Sequence, residues 1–212
     1  MNIEQKESDS ISLGLELPIM ESYFTIQGEG FHTGKPAYFI RTGGCDVGCH
    51  WCDTKDSWPM EGHPIISIEK IVAETVESKA EIAVITGGEP VMYNLAPLTE
   101  LFMARNIKIH IETSGAYELT GFWDWVCLSP KKTVPPFSGI HERANELKII
   151  IYNQGDFEWA EEHAQKVGKD CKLYLQPEWG KSKKVIPEIL DYIKNNPQWS
   201  ISLQMHKYIG IP

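Results

Sequence analysis

At 212 residues the chain has the length of one domain, and with 42% hydrophobic and 23% charged residues it has the means to bury a core. A formal charge of −9 argues against a nucleic-acid partner, because contacts to a phosphate backbone need a basic surface. No apolar run approaches the ~20 residues needed to cross a bilayer, so no membrane partner is expected.

The first fourteen residues are polar, carry Glu4, Glu7 and Asp9, and show neither a basic start nor an apolar stretch. They read as neither a signal peptide nor a mitochondrial leader, and are expected to fray ahead of a single domain over 15–212. From residue 36 strand and helix signals alternate. Ala37 to Thr42 is a strand that runs into Gly43-Gly44 and the first cysteine. Ser67 can cap a helix whose Ile68, Ile71, Val72 and Val76 share one face. Glu81 to Thr86 is a strand stopped by Gly87-Gly88, and Pro97 suits the first turn of a helix reaching about Arg105. Strands follow at 107–113, 126–128 and 146–151. Asp156 can cap the next helix, which Gly168 closes. A strand at 172–176, a helix ending at Asn196-Pro197 and a last strand from Ile201 to Met205 complete the chain.

This alternation predicts a parallel sheet with helical crossovers. Polar motifs follow one strand after another: TGGEP, ETSG, SPK, QPEW and QMHK. In α/β folds the C-terminal strand ends form the binding face, so these motifs converge on one site. A closed eight-fold barrel takes about 250 residues. The expected fold is therefore a partial, open TIM-like barrel of about six parallel strands.

Five cysteines, at 45, 49, 52, 127 and 171, make a poor disulfide framework, with an odd count and three within eight residues. Reduced thiols in a cytoplasmic protein fit better. Cys127 and Cys171 stand alone in apolar runs and read as small buried hydrophobes. Cys45, Cys49 and Cys52 share one loop, where three thiolates can each bind a separate iron of a 4Fe–4S cluster and leave the fourth iron open. An open iron is what cleavage of S-adenosylmethionine requires, since the amino and carboxylate groups of that molecule can chelate it. The alternative is a zinc-stabilised binding module without catalysis; it would want a fourth ligand, and His50 sits awkwardly between two of the cysteines. The glycines of Gly87-Gly88-Glu89-Pro90, placed directly after a strand, let the backbone approach a ligand and favour the cluster reading.

CxxxCxWC together with GGEP resembles the radical S-adenosylmethionine superfamily. Within it, ESYFTIQGEG (21–30), Arg41, CDT (52–54), ETSG (112–115), SPK (129–131), ELK (146–148), QP (176–177) and SLQMHKYIGIP at the end of the chain resemble the 7-carboxy-7-deazaguanine synthase family. That resemblance implies radical-mediated ring contraction of 6-carboxy-5,6,7,8-tetrahydropterin with loss of ammonia, with S-adenosylmethionine used catalytically and Mg2+ as a further cofactor. It implies pterin contacts at Ile26, Gln27, Gly28, Arg41, Thr86 and Pro212, with Glu29 and His206 as further candidates. It implies S-adenosylmethionine contacts at Trp51, Asp53, Gly88, Ser129, Pro130, Lys131, Gln176, Pro177, Glu178 and Trp179, and a magnesium ligand at Thr54. Arg41 offers a planar fork suited to a carboxylate, and Gln27 both a donor and an acceptor for a pyrimidine edge. Thr54 taken alone would read as a capping residue. Glu112, Lys148 and Lys207 carry no assigned role. A flavodoxin-type electron donor, a homodimer and a cytoplasmic location follow from the resemblance. A glycyl-radical-enzyme activating enzyme shares the first two motifs and is the nearest rival within the superfamily.

Overall fold

The computed structural model describes residues 3–212, and their side chains from Ser8 onward. Nine strands form one sheet: β1 (Glu16–Ile26), β2 (Pro36–Thr42), β3 (Ile65–Ser67), β4 (Ile82–Gly87), β5 (Lys108–Thr113), β6 (Trp125–Leu128), β7 (Glu146–Ile151), β8 (Lys172–Pro177) and β9 (Trp199–Ile201). Their order across the sheet is β3-β1-β2-β4-β5-β6-β7-β8-β9. Every pairing from β2 to β9 is parallel, which gives seven parallel strands where the sequence reading expects about six. β1 runs antiparallel to β2, with an irregularity between Ile19 and Glu21, and β3 covers only the first residues of β1. The sheet does not close on itself, as expected of a partial barrel.

The two faces of these strands differ as a period of two requires. Ile40, Ala83, Ile85, Ile109, Ile111, Leu147, Ile149 and Leu175 join the main core, with helices α2 (Ile68–Glu77), α3 (Ala96–Met103), α5 (Gly155–Ala164) and α6 (Ser182–Asn195) supplying Ile71, Phe102, Phe157 and Ile189 from the other side. Full burial of each leucine, isoleucine or phenylalanine among them is worth roughly 1.5–3 kcal/mol. The intervening residues, Arg41, Thr86, Glu112, Lys148 and Gln176, point to the opposite face and line a cavity.

Local signals account for two helix starts. Ser67 caps α2 by accepting the Lys70 N–H, and Pro97 stands in the first turn of α3. Asp156 departs from expectation: it lies inside α5, not at its cap. Its carboxylate turns back to accept the N–H groups of Tyr152 and Asn153 and meets Lys132 at 2.5 Å. Two further segments differ from their sequence reading. Where a fraying leader is expected, helix α1 spans Ile3–Ser12, Ile11 packs against the core, and the Gly14 N–H bonds the Ile11 carbonyl; Met1 and Asn2 lie outside the described residues. The last strand is Trp199–Ile201 and not Ile201 to Met205: residues 202–204 leave the sheet, and Met205 opens helix α7 (Met205–Ile209). Residues 202–204 turn away because the chain crosses to the loop after β1: Met205 donates to the Gly28 carbonyl at 2.9 Å and Gly30 donates to Ser202 Oγ at 3.0 Å. This loop, 27–35, bridges the side of the barrel that the strands leave open.

Helix α4 (Ile140–Arg143) carries His141, whose Nε2 lies 2.7 Å from Nδ1 of the buried His163 on α5. Such an N–H···N contact requires at least one neutral ring. Burial, with His141 and Lys166 nearby, pulls His163 down to about 4, and burial with His32 and Lys108 pulls His110 down to about 3. Both rings are neutral in the fold and titrate near the ordinary 6.5 when the chain unfolds. Their stabilising contribution is complete above about pH 6.5 and is lost as the pH falls toward their folded values. Thermal denaturation should show the midpoint falling by several degrees between about pH 7 and about pH 4.5, and His163→Leu should flatten part of that slope.

Candidate active site

One cavity of about 360 Å³ opens at the C-terminal ends of the parallel strands. Of the site residues drawn from the sequence, all but Pro130 line it: the three cysteines, Thr54, and the residues assigned to S-adenosylmethionine and to substrate. Pro130 is buried behind its neighbours Ser129 and Lys131. The structure thus brings to one place residues spread from Ile26 to Pro212.

The cysteine loop is held from outside. Gly44 donates to the Ser57 carbonyl at 2.8 Å and Cys45 to the Trp58 carbonyl at 2.9 Å, while Cys52 donates back to Cys49 at 3.0 Å. The three thiols are free and half-buried. Burial pushes Cys45 and Cys49 up, so each needs a cation to be held as thiolate. Among the described residues no three His, Cys, Asp or Glu side chains converge as they would on a single ion. A structural zinc site needs that convergence, whereas a four-iron cluster takes one thiolate per iron. His50 is exposed, lies edge-on to Trp51 and Tyr152, and does not line the cavity. Three free thiols on one loop, all facing the cavity, fit the cluster.

The GGEP turn is stitched to that loop. Gly88 donates to the Thr42 carbonyl at 3.0 Å and Glu89 to the Gly44 carbonyl at 2.9 Å. A Cβ on Gly88 would overlap the Gly44 carbonyl oxygen, so only glycine lets the two backbones approach this closely. Glu89 is buried, and burial raises its carboxyl against four protein donors: the Val91 and Ser114 N–H groups and the hydroxyls of Thr113 and Ser114. With those donors its role is to stiffen the turn and tie it to the ETSG segment after β5. Lys131 bends back onto the Ser129 carbonyl at 2.5 Å and its hydroxyl at 2.7 Å, with its ammonium over the Trp51 ring.

The opposite half of the cavity has a charged floor. Lys148 is buried and meets Glu29 at 2.5 Å and Glu112 at 3.4 Å. Burial alone would lower the Lys148 ammonium, but Glu112 and Glu29 outweigh it and hold it well above its usual range. Burial likewise works to raise Glu29, and Lys148, Gln176 and Gln204 overcome it. Gln27 donates from its amide to Glu112 at 2.9 Å and accepts the Glu29 N–H at 3.0 Å. Sequence reasoning left Glu112 and Lys148 without a role and did not single out Tyr23 or Thr25, which also line the cavity. The available signal was polarity in a strand where the period of two alternates it with apolar core: Glu112 after Ile111, Lys148 between Leu147 and Ile149.

At the rim, Arg41 gives its Nε–H to Glu21 at 2.7 Å and an Nη2–H to Tyr23 at 3.5 Å. Thr54 precedes a 3-10 turn, Lys55–Ser57, but its hydroxyl does not cap it and instead lies 3.4 Å from Asp53 Oδ1. Lys207 is no free surface lysine: it pairs with Asp53, accepts no solvent-only role, and sits 5.0 Å from the Trp179 ring centroid. His206 packs where a Cβ on Gly28 would stand. The carbonyl oxygen of Pro212 accepts from the Thr25 hydroxyl at 3.4 Å, which brings the chain's last residue to the cavity wall. Replacing Cys45, Cys49 or Cys52 by alanine should each abolish bound iron and sulfide after anaerobic reconstitution, while Cys171→Ala, remote from this cavity, should keep both; iron analysis and the visible absorption spectrum check this.

Comparison with known proteins agrees with this geometry. The radical SAM superfamily model matches residues 39–122, from β2 through the cysteine loop and the GGEP turn to the segment after β5. The 7-carboxy-7-deazaguanine synthase of Flavobacterium psychrophilum is 54% identical over 203 residues, 96% of either chain. That of Synechocystis sp. is 46% identical over 94% of this chain and 95% of its own, and that of Escherichia coli 36% identical over 93% and 100%. The crystal structure of QueE from Escherichia coli superposes with a TM-score of 0.81 at 33% identity, covering 94% of this chain and 99% of that one. Similarity of this extent includes both halves of the cavity and the open sheet that forms it, and the chain belongs to the 7-carboxy-7-deazaguanine synthase family of radical S-adenosylmethionine enzymes.

Proposed function

We propose that this chain converts 6-carboxy-5,6,7,8-tetrahydropterin to 7-carboxy-7-deazaguanine with loss of ammonia, starting the reaction from S-adenosylmethionine at a 4Fe–4S cluster. The observation that carries this reading is that one cavity joins the three-cysteine loop to a floor of paired donors and acceptors. A protein-activating enzyme has no use for such a floor, whereas a flat heterocycle edged with amide-like groups matches it.

Cys45, Cys49 and Cys52 would hold the cluster. When bound, the cluster and S-adenosylmethionine supply the electron and the carbon-centred radical that begin the reaction. The protein's own part is placement. Gly88, Ser129, Lys131, Gln176, Pro177, Glu178 and Trp179, with Trp51 and Asp53 from the cysteine loop, surround the space assigned to S-adenosylmethionine. Ile26, Gln27, Gly28, Glu29, Thr86 and His206 face the space assigned to the pterin, with Pro212 at its edge. Glu29 and Glu112 can accept N–H groups of its pyrimidine edge, and Lys148 pairs with both and favours the ionised form of Glu29. Arg41 retains Nη1 and the rest of Nη2 for the substrate carboxylate.

Thr54 is the proposed ligand for Mg2+, an ion that often takes few protein donors and completes its shell with water and substrate oxygens. The hydroxyl's freedom from capping supports this. We also propose a flavodoxin-type protein as electron donor, a homodimer, and a cytoplasmic setting that keeps the thiols reduced. Among the described residues no helix is long and apolar enough to cross a membrane.

An anaerobic assay with a chemical reductant tests the activity. Ammonia and the deazaguanine should appear in equal amounts, and S-adenosylmethionine should be recovered. Its irreversible cleavage at the same rate with and without the pterin would refute the proposal. In the same assay Mg2+ should stimulate turnover, and Thr54→Ala should raise the metal concentration for half-maximal rate about tenfold, by loss of one inner ligand. Overlaying titrations would place the ion elsewhere.

A further inference from the structure

Glu146 opens β7 and does not line the cavity, yet its side chain is only 3% exposed. Its Oε2 accepts two N–H groups, from the Phe31 backbone at 3.2 Å and from the Trp125 indole at 3.0 Å. The Phe31 ring stacks on Trp125 with centroids 4.9 Å apart, and His32 meets the same indole edge-on at 4.5 Å. Gly30, between Glu29 and Phe31, has φ +65° and packs directly on the Glu146 carboxylate, so that a Cβ there would overlap it. One carboxylate and one indole therefore clamp the turn of loop 27–35 immediately after Gln27, Gly28 and Glu29. A buried carboxylate is costly, and burial pushes Glu146 up, with Lys148, Phe31 and Trp125 opposing. An apolar side chain would pack under the loop without that cost, but it could not fix the Phe31 N–H or the indole at a set position.

We propose that Glu146 is a positioning residue for the pterin: by clamping Gly30 and Phe31 it sets where Gln27 and Glu29 meet the substrate. This rests on the reading of Gln27 and Glu29 as substrate contacts. Glu146 itself touches neither the substrate space nor the cysteine loop, so its effect should be confined to one half of the cavity.

The test uses the reconstituted holoenzyme under anaerobic conditions, with three variants. Glu146→Ala removes the acceptor, Gly30→Ala pushes the loop off it from the other side, and Glu146→Gln keeps an oxygen for both N–H donors. The first two should each raise KM for the pterin about tenfold or more, with kcat changed less than about threefold. Glu146→Gln should stay within about threefold of the parent KM. Iron content and the dissociation constant for S-adenosylmethionine should be those of the parent in all three. An unchanged pterin KM in Glu146→Ala overturns the proposal, and so does a loss of S-adenosylmethionine binding in step with the KM, which would mark a general structural role. Should Glu146→Ala fail to fold, Gly30→Ala and Glu146→Gln decide on the same criteria. If the parent does not convert the pterin at all, the functional reading falls and this proposal with it; if the parent turns over and only the variant pattern fails, the functional reading stands.

Discussion

The buried ammonium of Lys148 is the constraint on which the half of the cavity opposite the cysteine loop depends. A lysine with its side chain 5% exposed cannot stay charged without anions at hand, and removing one partner of such a group costs on the order of 3–5 kcal/mol. One of its anions, Glu112, stands two strands away on β5. The other, Glu29, comes from a loop 119 residues earlier in the chain. To bring Glu29 to Lys148, loop 27–35 must turn over the open side of the barrel, and the amides of Gln176 and Gln204 then complete the bonds of its carboxylate. An open sheet thus obtains a floor from a polar network, where a closed barrel would obtain it from strands.

That network has more carboxylate than ammonium. Two carboxylates that line the cavity, Glu29 and Glu112, share the one ammonium of Lys148. Surplus acceptors are what a substrate edge of N–H donors would meet, and their geometry is settled before any ligand arrives, because each carboxylate is already bonded within the protein. Preorganisation of this kind lowers the cost of ordering on binding.

Much of this was legible in the sequence, and the reason differs from element to element. The parallel strands declared themselves because one face of each is apolar and glycine or proline ends most of them. The cysteine loop and the GGEP turn did so because their chemistry leaves few alternatives at that spacing. β1 was not read as a strand: its alternation is blurred by partners on both sides over only three residues and by exposed Phe24 and Ile26. Asp156 looked like a cap, yet its carboxylate serves the two N–H groups before the helix, a choice that only Lys132 and the turn at 152–155 explain. Residues 201–205 have the composition of a strand, but after a last bond from the Ser202 N–H to the Leu175 carbonyl, bonds to Gly28 and Gly30 draw the chain aside. Glu146 was visible only as part of a motif. Nothing local in it announces a partner 115 residues away.

The two halves of the cavity are joined at the rim as well as through the sheet. Asp53, one residue past the last cysteine of the loop, pairs with Lys207 and accepts from the Gln204 amide at 3.1 Å. The same amide nitrogen lies 3.0 Å from Glu29. Gln204 therefore stands between the loop assigned to the cluster and the carboxylate assigned to the pterin, and α7, which begins at Met205, carries Lys207 and His206 to either side of it. Burial raises the cost of charge on Asp53, and Lys207 and Gln204 more than offset it, so the contact is a stabilised one. A radical formed on one side of the cavity must find its hydrogen atom on the other at contact distance, and a shift of about 1 Å is enough to cost rate. Anchoring both sides to one short helix makes their spacing a property of the folded chain, independent of the order in which the two small molecules bind.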